Sequence, residues 1–341
     1  MTLQSTGQIT FSNITSEFGT PSNSNLGAFR VSENHGSLSN IPLDSNIPQT
    51  GEIKFSDFYG RRLNVVVDCH SGSTEARGNA KTKYNSNQVS VVGGFRSHPS
   101  PPTGIKVIIN VNKSFKSEKG KAKNVVALRT GEYGSDCLLR VDVGSEGYIG
   151  GAGGNGGKGG NSGSNSGSGG EDGNSGLGID HESSDGTTVI NNSGTISAGF
   201  GGGGGGGAAY QFDEGGKGKS DKRRNASGGG GGGGAGFPAG SGGSGGSSDK
   251  SGGNGSSGGL NSAGGGGSGG NNDDEAVGGT GGTGGSNGEG ANNGGGGSGE
   301  ETGSGGSGGG DGAAIRKKSN IQIDVVNNGT IRGSQSAIGV A

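Results

Sequence analysis

The sequence FGGGGGGGAAY at Phe200–Tyr210 contains seven consecutive glycines, and so does SGGGGGGGAGF at Ser227–Phe237. Glycine accounts for 91 of the 341 residues, and 72 of those glycines lie between Gly150 and Gly312. Only 24% of the residues are hydrophobic, so a conventional apolar core is expected outside that segment. The two runs therefore decide whether residues 150–312 form a spacer or a fold.

Around these runs the sequence repeats with a period of three. GGAGGNGGKGGN at Gly150–Asn161 places one residue other than glycine at every third position, and the same spacing recurs around Ser241, Thr280 and Ser304. Period three is typical of a polyproline-II-type helix, whereas helices and strands repeat every 3.6 and 2 residues. Seven prolines are too few for collagen, which shares this period.

Extended glycine helices can be a scaffold if they pack together. They rise about 3.1 Å per residue, so seven glycines would form a rod of roughly 20 Å. Such a rod has no internal hydrogen bonds, and each buried N–H and C=O must find a partner on a neighbouring rod. Fixing each residue costs about 1–2 kcal/mol of conformational entropy, which makes disorder the alternative.

A second repeat brackets the glycine-rich segment. VINNSGTISAG at Val189–Gly199 matches VVNNGTIRG at Val325–Gly333, and VDVGSEGYIGG at Val141–Gly151 is a looser copy. Each copy has apolar residues, a polar turn with glycine, and a further isoleucine. This pattern predicts repeated strand–turn–strand units, which a spacer would not need.

Two regions precede the glycine-rich segment. In the first, GQITFSNI at Gly7–Ile14 is echoed by GEIKFSDF at Gly51–Phe58, with Ile and Phe alternating as on one face of a strand. In the second, β-branched residues and turn residues predict a small antiparallel sandwich and no amphipathic helix. The candidate strands are Arg62–Cys69, Gln88–Phe95, Gly104–Asn112, Asn124–Thr130 and Cys137–Gly144. Cys69 and Cys137 are interpreted as buried thiols on strands.

The long glycine runs, the Gly-Gly-x arrays and the aromatic or charged segments between them resemble the host-recognition adhesins at the tail-fibre tips of T-even-type bacteriophages. The phrase NNSGTISAGFGGGGGGG at Asn191–Gly207 is also similar to passages in phage tail-fibre proteins. Separately, the two N-terminal echoes resemble a module on marine phage structural proteins. The resemblance implies packed polyglycine-II helices that display variable loops to a bacterial surface.

The expected fold is therefore all-β and glycine-rich, in three parts. Residues 1–60 would form a virion-attachment module, 61–149 a β-sandwich-like spacer, and 150–341 a bundle of polyglycine-II helices flanked by short strands. The attachment residues would be the apolar ones of the two echoes. These are Ile9, Phe11, Ile53, Phe55 and Phe58.

The candidate receptor-binding residues lie in the interruptions of the glycine-rich segment. Aromatic rings stack on sugar or protein faces, and arginine binds carboxylates or phosphates through paired hydrogen bonds. The segment Ala208–Ser227 joins the two glycine runs, Ala235–Gly240 follows the second, and Asn271–Val277 is acidic. Their candidate residues are Tyr210, Phe212, Lys222, Arg223, Arg224, Phe237, Pro238, Asp273 and Asp274.

We therefore expect a non-enzymatic receptor-binding protein of a phage tail or tail fibre, located in the virion and made in the host cytoplasm. The alternative is a purely structural tail, baseplate or fibre-connector protein. The expected partners are a bacterial glycan or outer-membrane protein and other tail or fibre proteins, with a homo-oligomer also compatible. No histidine or cysteine spacing indicates a metal, no cofactor motif stands before a helix, and we expect no cofactor. A net charge of −2 and the lack of a long apolar run predict neither nucleic-acid binding nor membrane insertion.

Overall fold

The computed structural model describes residues 3–18, 25–30, 44, 46–61, 64–68, 75–76, 78–79, 91–92, 106–120, 122–133, 135, 137–213, 222–273 and 275–340. Cys69 and Asp274 lie outside these residues, whereas Cys137 is a buried free thiol. Helix α1 spans Phe11–Phe18, and 3-10 turns span Leu26–Arg30 and Phe55–Phe58. None of the described helices is long and apolar enough to cross a membrane.

The strands of the described residues are short. In chain order they are β1 Asn64–Asp68, β2 Glu75–Ala76, β3 Gly78–Asn79, β4 Val91–Val92, β5 Lys106–Val111, β6 Ser114–Lys116, β7 Val126–Arg129, β8 Leu138–Val143, β9 Tyr148–Gly150, β10 Ser175–Ile179, β11 Thr187–Asn192, β12 Thr195–Ser197, β13 Ala209–Asp213, β14 Lys222–Ala226, β15 Asn271–Asn272, β16 Ala276–Val277, β17 Glu301–Thr302, β18 Ile315–Lys317, β19 Gln322–Asn327, β20 Thr330–Arg332 and β21 Ala337–Ile338.

Most of these strands wind into a three-sided parallel β-helix. The three sheets have the strand orders β19-β11-β8-β5-β1-β4, β21-β18-β10-β7-β3 and β2-β6-β9-β12-β20. Following the chain, each coil contributes one strand to each sheet, as in β5-β6-β7 and then β8-β9-β10. All pairs between coils are parallel, and only β4 runs antiparallel to its neighbour β1. Each sheet combines strands from both sides of residue 150.

The bracketing repeat forms the corner between the sheet that contains β8 and the sheet that contains β9. The three copies contain β8-β9, β11-β12 and β19-β20, which lie on top of one another in register. At this corner the buried Asn192 donates from its side-chain amide to Asn327 Oδ1 at 2.8 Å and to Thr330 O at 3.2 Å. The sequence predicted strand–turn–strand units, and the corner shows that their two strands belong to different sheets.

The antiparallel sandwich predicted for residues 61–149 is wrong. Each of the five candidate strands contains an observed strand, but β5 pairs in parallel with both β1 and β8. The coil winds around a core of aliphatic side chains that point inward from all three sheets. In the first sheet, Ile109, Val141 and Ile190 are register partners and are fully buried. Alternating apolar residues fit either pairing, so the pattern alone did not distinguish them.

The N-terminal echo forms helical turns rather than the strands predicted from its alternation. Asn13 Oδ1 accepts a hydrogen bond from the Thr10 N–H at 2.9 Å, and Asp57 Oδ2 accepts one from the Lys54 N–H at 2.7 Å. In each case a side chain three residues on satisfies the first free N–H of a helical turn. Asn13 and Asp57, which occupy the same position in the two echoes, therefore mark the start of a helical turn.

The described part of the glycine-rich segment forms extended rods, with β-bridges only at rod ends such as Lys250 and Ser298. Ten rods lie in the described residues: rod 1 at 150–161, rod 2 at 165–174, rod 3 at 198–208, rod 4 at 227–236, rod 5 at 240–247, rod 6 at 250–259, rod 7 at 264–270, rod 8 at 278–285, rod 9 at 291–298 and rod 10 at 303–312. Rods that follow each other along the chain run in opposite directions.

Rod 3, which contains the first glycine run, is bonded on all sides. Every N–H from residue 199 to residue 208 donates a hydrogen bond, and every C=O in that range accepts one. Successive N–H groups of rod 3 donate to different neighbouring rods, and the pattern repeats every three residues. Thus Gly203 and Gly206 donate to rod 4, Gly204 and Gly207 to rod 9, and Gly205 to rod 2, all at 2.8–3.0 Å. Its carbonyls accept from rods 1, 8 and 10, so rod 3 has six neighbours.

The same connectivity arranges the rods in three layers. Rods 2, 1 and 5 form an upper layer, rods 10, 3, 4 and 6 a middle layer, and rods 9, 8 and 7 a lower layer. Rod 4, which contains the second glycine run, also has six neighbours: rods 1, 3, 5, 6, 7 and 8. The two seven-glycine runs are therefore the two interior rods, where no position faces solvent.

The β-helix holds one end of this bundle, which we call the root. Rod 1 continues directly from β9, rod 3 from β12, rod 2 leads into β10 and rod 10 into β18. The pairs β9–β12 and β10–β18 are neighbours in their sheets, so the rods that extend them start side by side. The bundle is thus an insertion at one corner of the β-helix.

Replacement of an interior glycine by alanine should destabilise the bundle, because the rods approach too closely for a methyl group. A Cβ on Gly204 would lie 2.0 Å from the Gly306 carbonyl oxygen, whereas one on Gly265 would meet only Ser256 Oγ, at 3.7 Å. We expect Gly204→Ala to lower the free energy of unfolding by about 3 kcal/mol or more. Gly265→Ala should leave it unchanged or raise it by about 0.4–1 kcal/mol. Equal effects in denaturant unfolding would contradict the packing.

Asp311 makes the stability of the bundle depend on pH. Its Oδ1 accepts the Gly201 N–H at 3.0 Å, while burial and the charge of Asp172 raise the pKa of its carboxyl group and outweigh that hydrogen bond. A raised folded-state pKa means that stability is lost as pH rises from the unfolded-state pKa through the folded-state one. Asp311→Asn keeps an acceptor without the charge, so it should stabilise the protein at neutral pH.

That gain should vanish in acid, where the wild-type carboxyl group is also neutral. Asp311→Ala is the matched control: it removes the same titrating group but leaves the Gly201 N–H without an acceptor, so it should be about 1–3 kcal/mol less stable than Asp311→Asn at every pH. Denaturant unfolding at several pH values measures both effects. A destabilising Asp311→Asn at neutral pH would show that the charge is needed.

Candidate functional site

The end of the bundle remote from the β-helix, which we call the tip, gathers five connecting segments. Because the rods alternate in direction, the described residues of these connections all lie there: 162–164, 209–213 with 222–226, 248–249, 271–273 with 275–277, and 299–302. The largest is a hairpin in which β13 pairs antiparallel with β14, from Ala209 opposite Ala226 to Asp213 opposite Lys222. β17 adds a third strand beside β13, and β15 and β16 form a small ribbon against the hairpin.

The pairing register divides the hairpin residues between two faces. Tyr210 and Phe212 lie on one strand, and Arg223 lies directly opposite Phe212 and diagonal to Tyr210, so the three share a face. Gln211 and Arg224 are opposite each other and share the other face. The adjacent arginines 223 and 224 therefore have different surroundings.

Arg224 links the hairpin to the acidic connection. Its Nη1 lies 2.7 Å from Asp273 Oδ2, and its Nε lies 3.2 Å from Glu275 Oε2. Both carboxylates are largely exposed to solvent, so each ion pair contributes at most about 1 kcal/mol. The arrangement orients two connections relative to each other. Arg224 thus acts as a link within the tip.

Arg223, Tyr210 and Phe212 form the displayed face. The Arg223 guanidinium carbon lies 4.3 Å from the centroid of the Tyr210 ring, within cation–π range. The hydrogen bond to the Glu301 carboxylate is the main cause that raises the pKa of the Tyr210 hydroxyl group. Phe212 is 43% exposed, and its N–H donates to Glu300 Oε2 at 3.0 Å. This face offers two rings, one guanidinium group and two carboxylates.

The structure brings most of the predicted receptor-binding residues to the tip. Tyr210, Phe212, Lys222, Arg223, Arg224 and Asp273 lie together there, while Asp274 lies outside the described residues. Phe237 and Pro238 lie in the connection between rods 4 and 5, at the root. The Phe237 ring packs edge-on against Tyr148 with centroids 5.1 Å apart, and its N–H donates to Gly151 O at 2.7 Å. These two residues are therefore remote from the hairpin.

The predicted attachment residues form a small aromatic core with one exception. The ring of the buried Phe58 packs edge-on against Phe18 and Phe29 at centroid distances of 6.2 and 5.9 Å. Ile9 is also buried, and Phe11 and Ile53 pack against the same cluster. Phe55 is the exposed member, with 43% of its surface accessible.

Sequence reasoning missed several residues of the tip. Glu300 and Glu301 contact the hairpin through Phe212 and Tyr210, and Asp249 Oδ2 accepts hydrogen bonds from the N–H and the side-chain amide of Asn225, both at 3.1 Å. The signal was present, since each acid interrupts a glycine-rich array as Asp273 does. Among the described residues, no group of three or more His, Cys, Asp or Glu side chains could hold a metal ion.

No protein-family model matches the chain, and neither does any curated protein. Among solved structures it is similar to the crystal structure of the gp37-gp38 adhesin tip complex of the bacteriophage S16 long tail fiber. That likeness has 17% sequence identity and a TM-score of 0.36, and it covers 97% of this chain and 99% of the other. The protein found is of the kind that the sequence resemblance named.

Proposed function

We propose that this chain is a receptor-binding protein of a phage tail or tail fibre, that its rods are polyglycine-II helices, and that its tip contacts a bacterial surface receptor. The observation that carries the proposal is the Tyr210–Arg223–Phe212 face, displayed at the free end of a bundle whose interior rods are hydrogen-bonded on all sides. Aromatic residues and arginine are the residue types that dominate binding energy at interfaces.

The rigidity of the support favours the same function. The hairpin grows directly out of rods 3 and 4, the two interior rods, so its strands start from positions fixed on all sides. The side chains of the tip therefore lose little freedom on binding, which increases affinity. Connections at rod ends can also vary in sequence without disturbing the glycine lattice.

The N-terminal module supports a second contact of the proposed adhesin, with another tail or fibre protein. Phe18, Phe29 and Phe58 are fully buried there, whereas Phe55, in the helical turn Phe55–Phe58, is exposed. An exposed phenylalanine on a small module is a suitable anchor for a hydrophobic partner surface. We propose Phe55 as the contact residue of the attachment module.

Phe212 and Phe55 provide a matched test, because both are 43% exposed and neither is needed for a core. We expect Phe212→Ser to lower adsorption of the purified, fluorescently labelled chain to susceptible bacteria by about tenfold or more, as loss of an interface anchor does. Phe55→Ser should adsorb normally but fail to assemble into infectious particles. Each variant is thus the control for the other.

Unfolding curves that match the wild type would show that both variants fold. If Phe212→Ser adsorbs as well as the wild type, the hairpin face is not the receptor contact. If the folded wild-type chain adsorbs to no strain that the phage infects, the result would favour a purely structural connector over a receptor-binding protein.

A further inference from the structure

A shallow polar groove lies on the upper layer of the bundle, next to the tip. Its volume is about 320 Å³, which is at the lower end of the range for small-ligand sites. It crosses rods 1, 2 and 5, and backbone glycines form its floor. The side chains that line it are Lys158, Asn161, Asn165, Ser166, Ser168 and Ser244.

The lining is suited to a ligand that is rich in hydroxyl groups. Serine hydroxyl and asparagine amide groups can each donate and accept hydrogen bonds, as sugar hydroxyl groups do. Neighbouring backbone groups hold several of them in place: the Lys158 N–H donates to Ser168 Oγ at 2.6 Å, and the Ser304 N–H donates to Ser166 Oγ at 3.2 Å. The groove has no apolar side chain that could receive an anchor from a protein ligand.

The charge of the groove indicates an acidic ligand. Lys158 is exposed and is the one charged residue among those that line it. A single ammonium group in a neutral polar groove favours a ligand with a carboxylate or phosphate group at that position.

The displayed face of the hairpin lies beside the groove, on the far side of the connection 162–164. The connection 162–164 joins the two rods that form one side of the groove, and the hairpin lies against it. A Cβ on Gly163 would be 3.0 Å from Arg223 Nη2 and 3.9 Å from Tyr210 Cδ1. An oligosaccharide that fills the groove can therefore place its next sugar against the Tyr210–Arg223 pair, where the C–H face of a sugar can stack on the ring.

We propose that this groove and the adjacent Tyr210–Arg223 pair form one binding site for an acidic oligosaccharide of the bacterial surface. The site rests on the proposed receptor-binding function and specifies the chemical class of the receptor. Lys158 binds the anionic group, and the serine and asparagine side chains bind the sugar hydroxyl groups.

The test uses the full labelled chain and bacterial strains to which it adsorbs. Mild periodate oxidation, which destroys sugar diols, should abolish adsorption, and protease treatment of the same cells should leave it intact. Lys158→Glu should weaken adsorption about tenfold or more, as loss of a charge-assisted hydrogen bond does. Lys123→Glu makes the same change at an exposed residue of the β-helix and should adsorb like the wild type.

The outcomes separate this site from the function on which it rests. Adsorption that survives periodate but not protease would overturn the oligosaccharide site and leave a protein receptor. Adsorption that needs sugars but tolerates Lys158→Glu, in a variant with wild-type unfolding, would also overturn the assignment to this groove. Adsorption to no strain would contradict the receptor-binding function itself.

Discussion

The whole molecule depends on the distance at which one backbone can hydrogen-bond to the next. Parallel strands lie about 4.8 Å apart, and this distance sets the rise of the β-helix from coil to coil. β9 and β12 leave the β-helix as rods 1 and 3, which stay hydrogen-bonded, as at Gly157 N–H to Gly203 O at 2.8 Å. The β-helix thus starts the bundle at the correct spacing, and the other rods add to it.

A rod can keep that spacing to six neighbours at once only where its residues are glycines, which lack a Cβ atom. An interior glycine donates one hydrogen bond and accepts another, so it completes about one bond per residue. A net gain of about 0.5–1.5 kcal/mol per bond is close to the 1–2 kcal/mol that ordering a residue costs. An isolated rod would therefore be unstable, and the lattice must be nearly complete to persist. Most of the larger side chains of the bundle lie at the outer rod positions and in the connections, which is where the candidate sites lie.

Part of this organisation could be predicted from the sequence. The period of three around Ser241 and Thr280 indicated extended glycine helices, and the three copies of the bracketing repeat indicated strand–turn–strand units. The parallel pairing was not predictable, because rods 1 and 2 separate β9 from β10 in the chain and obscure the coil. The sequence pattern did not show at which end of the bundle each connection lies. Because consecutive rods run in opposite directions, the connection after rod 4, which contains Phe237, lies at the root and not at the tip.

The central claim is that the glycine runs are an ordered, hydrogen-bonded scaffold, and amide hydrogen exchange of the native chain tests it most directly. The account predicts that the amides of residues 201–207 and 228–234 exchange more slowly than those of an unstructured peptide by about 10³-fold or more, as in the strands β8 and β11. Exchange of both runs at the unstructured rate, while β8 and β11 stay protected, would show a disordered tether and contradict the account.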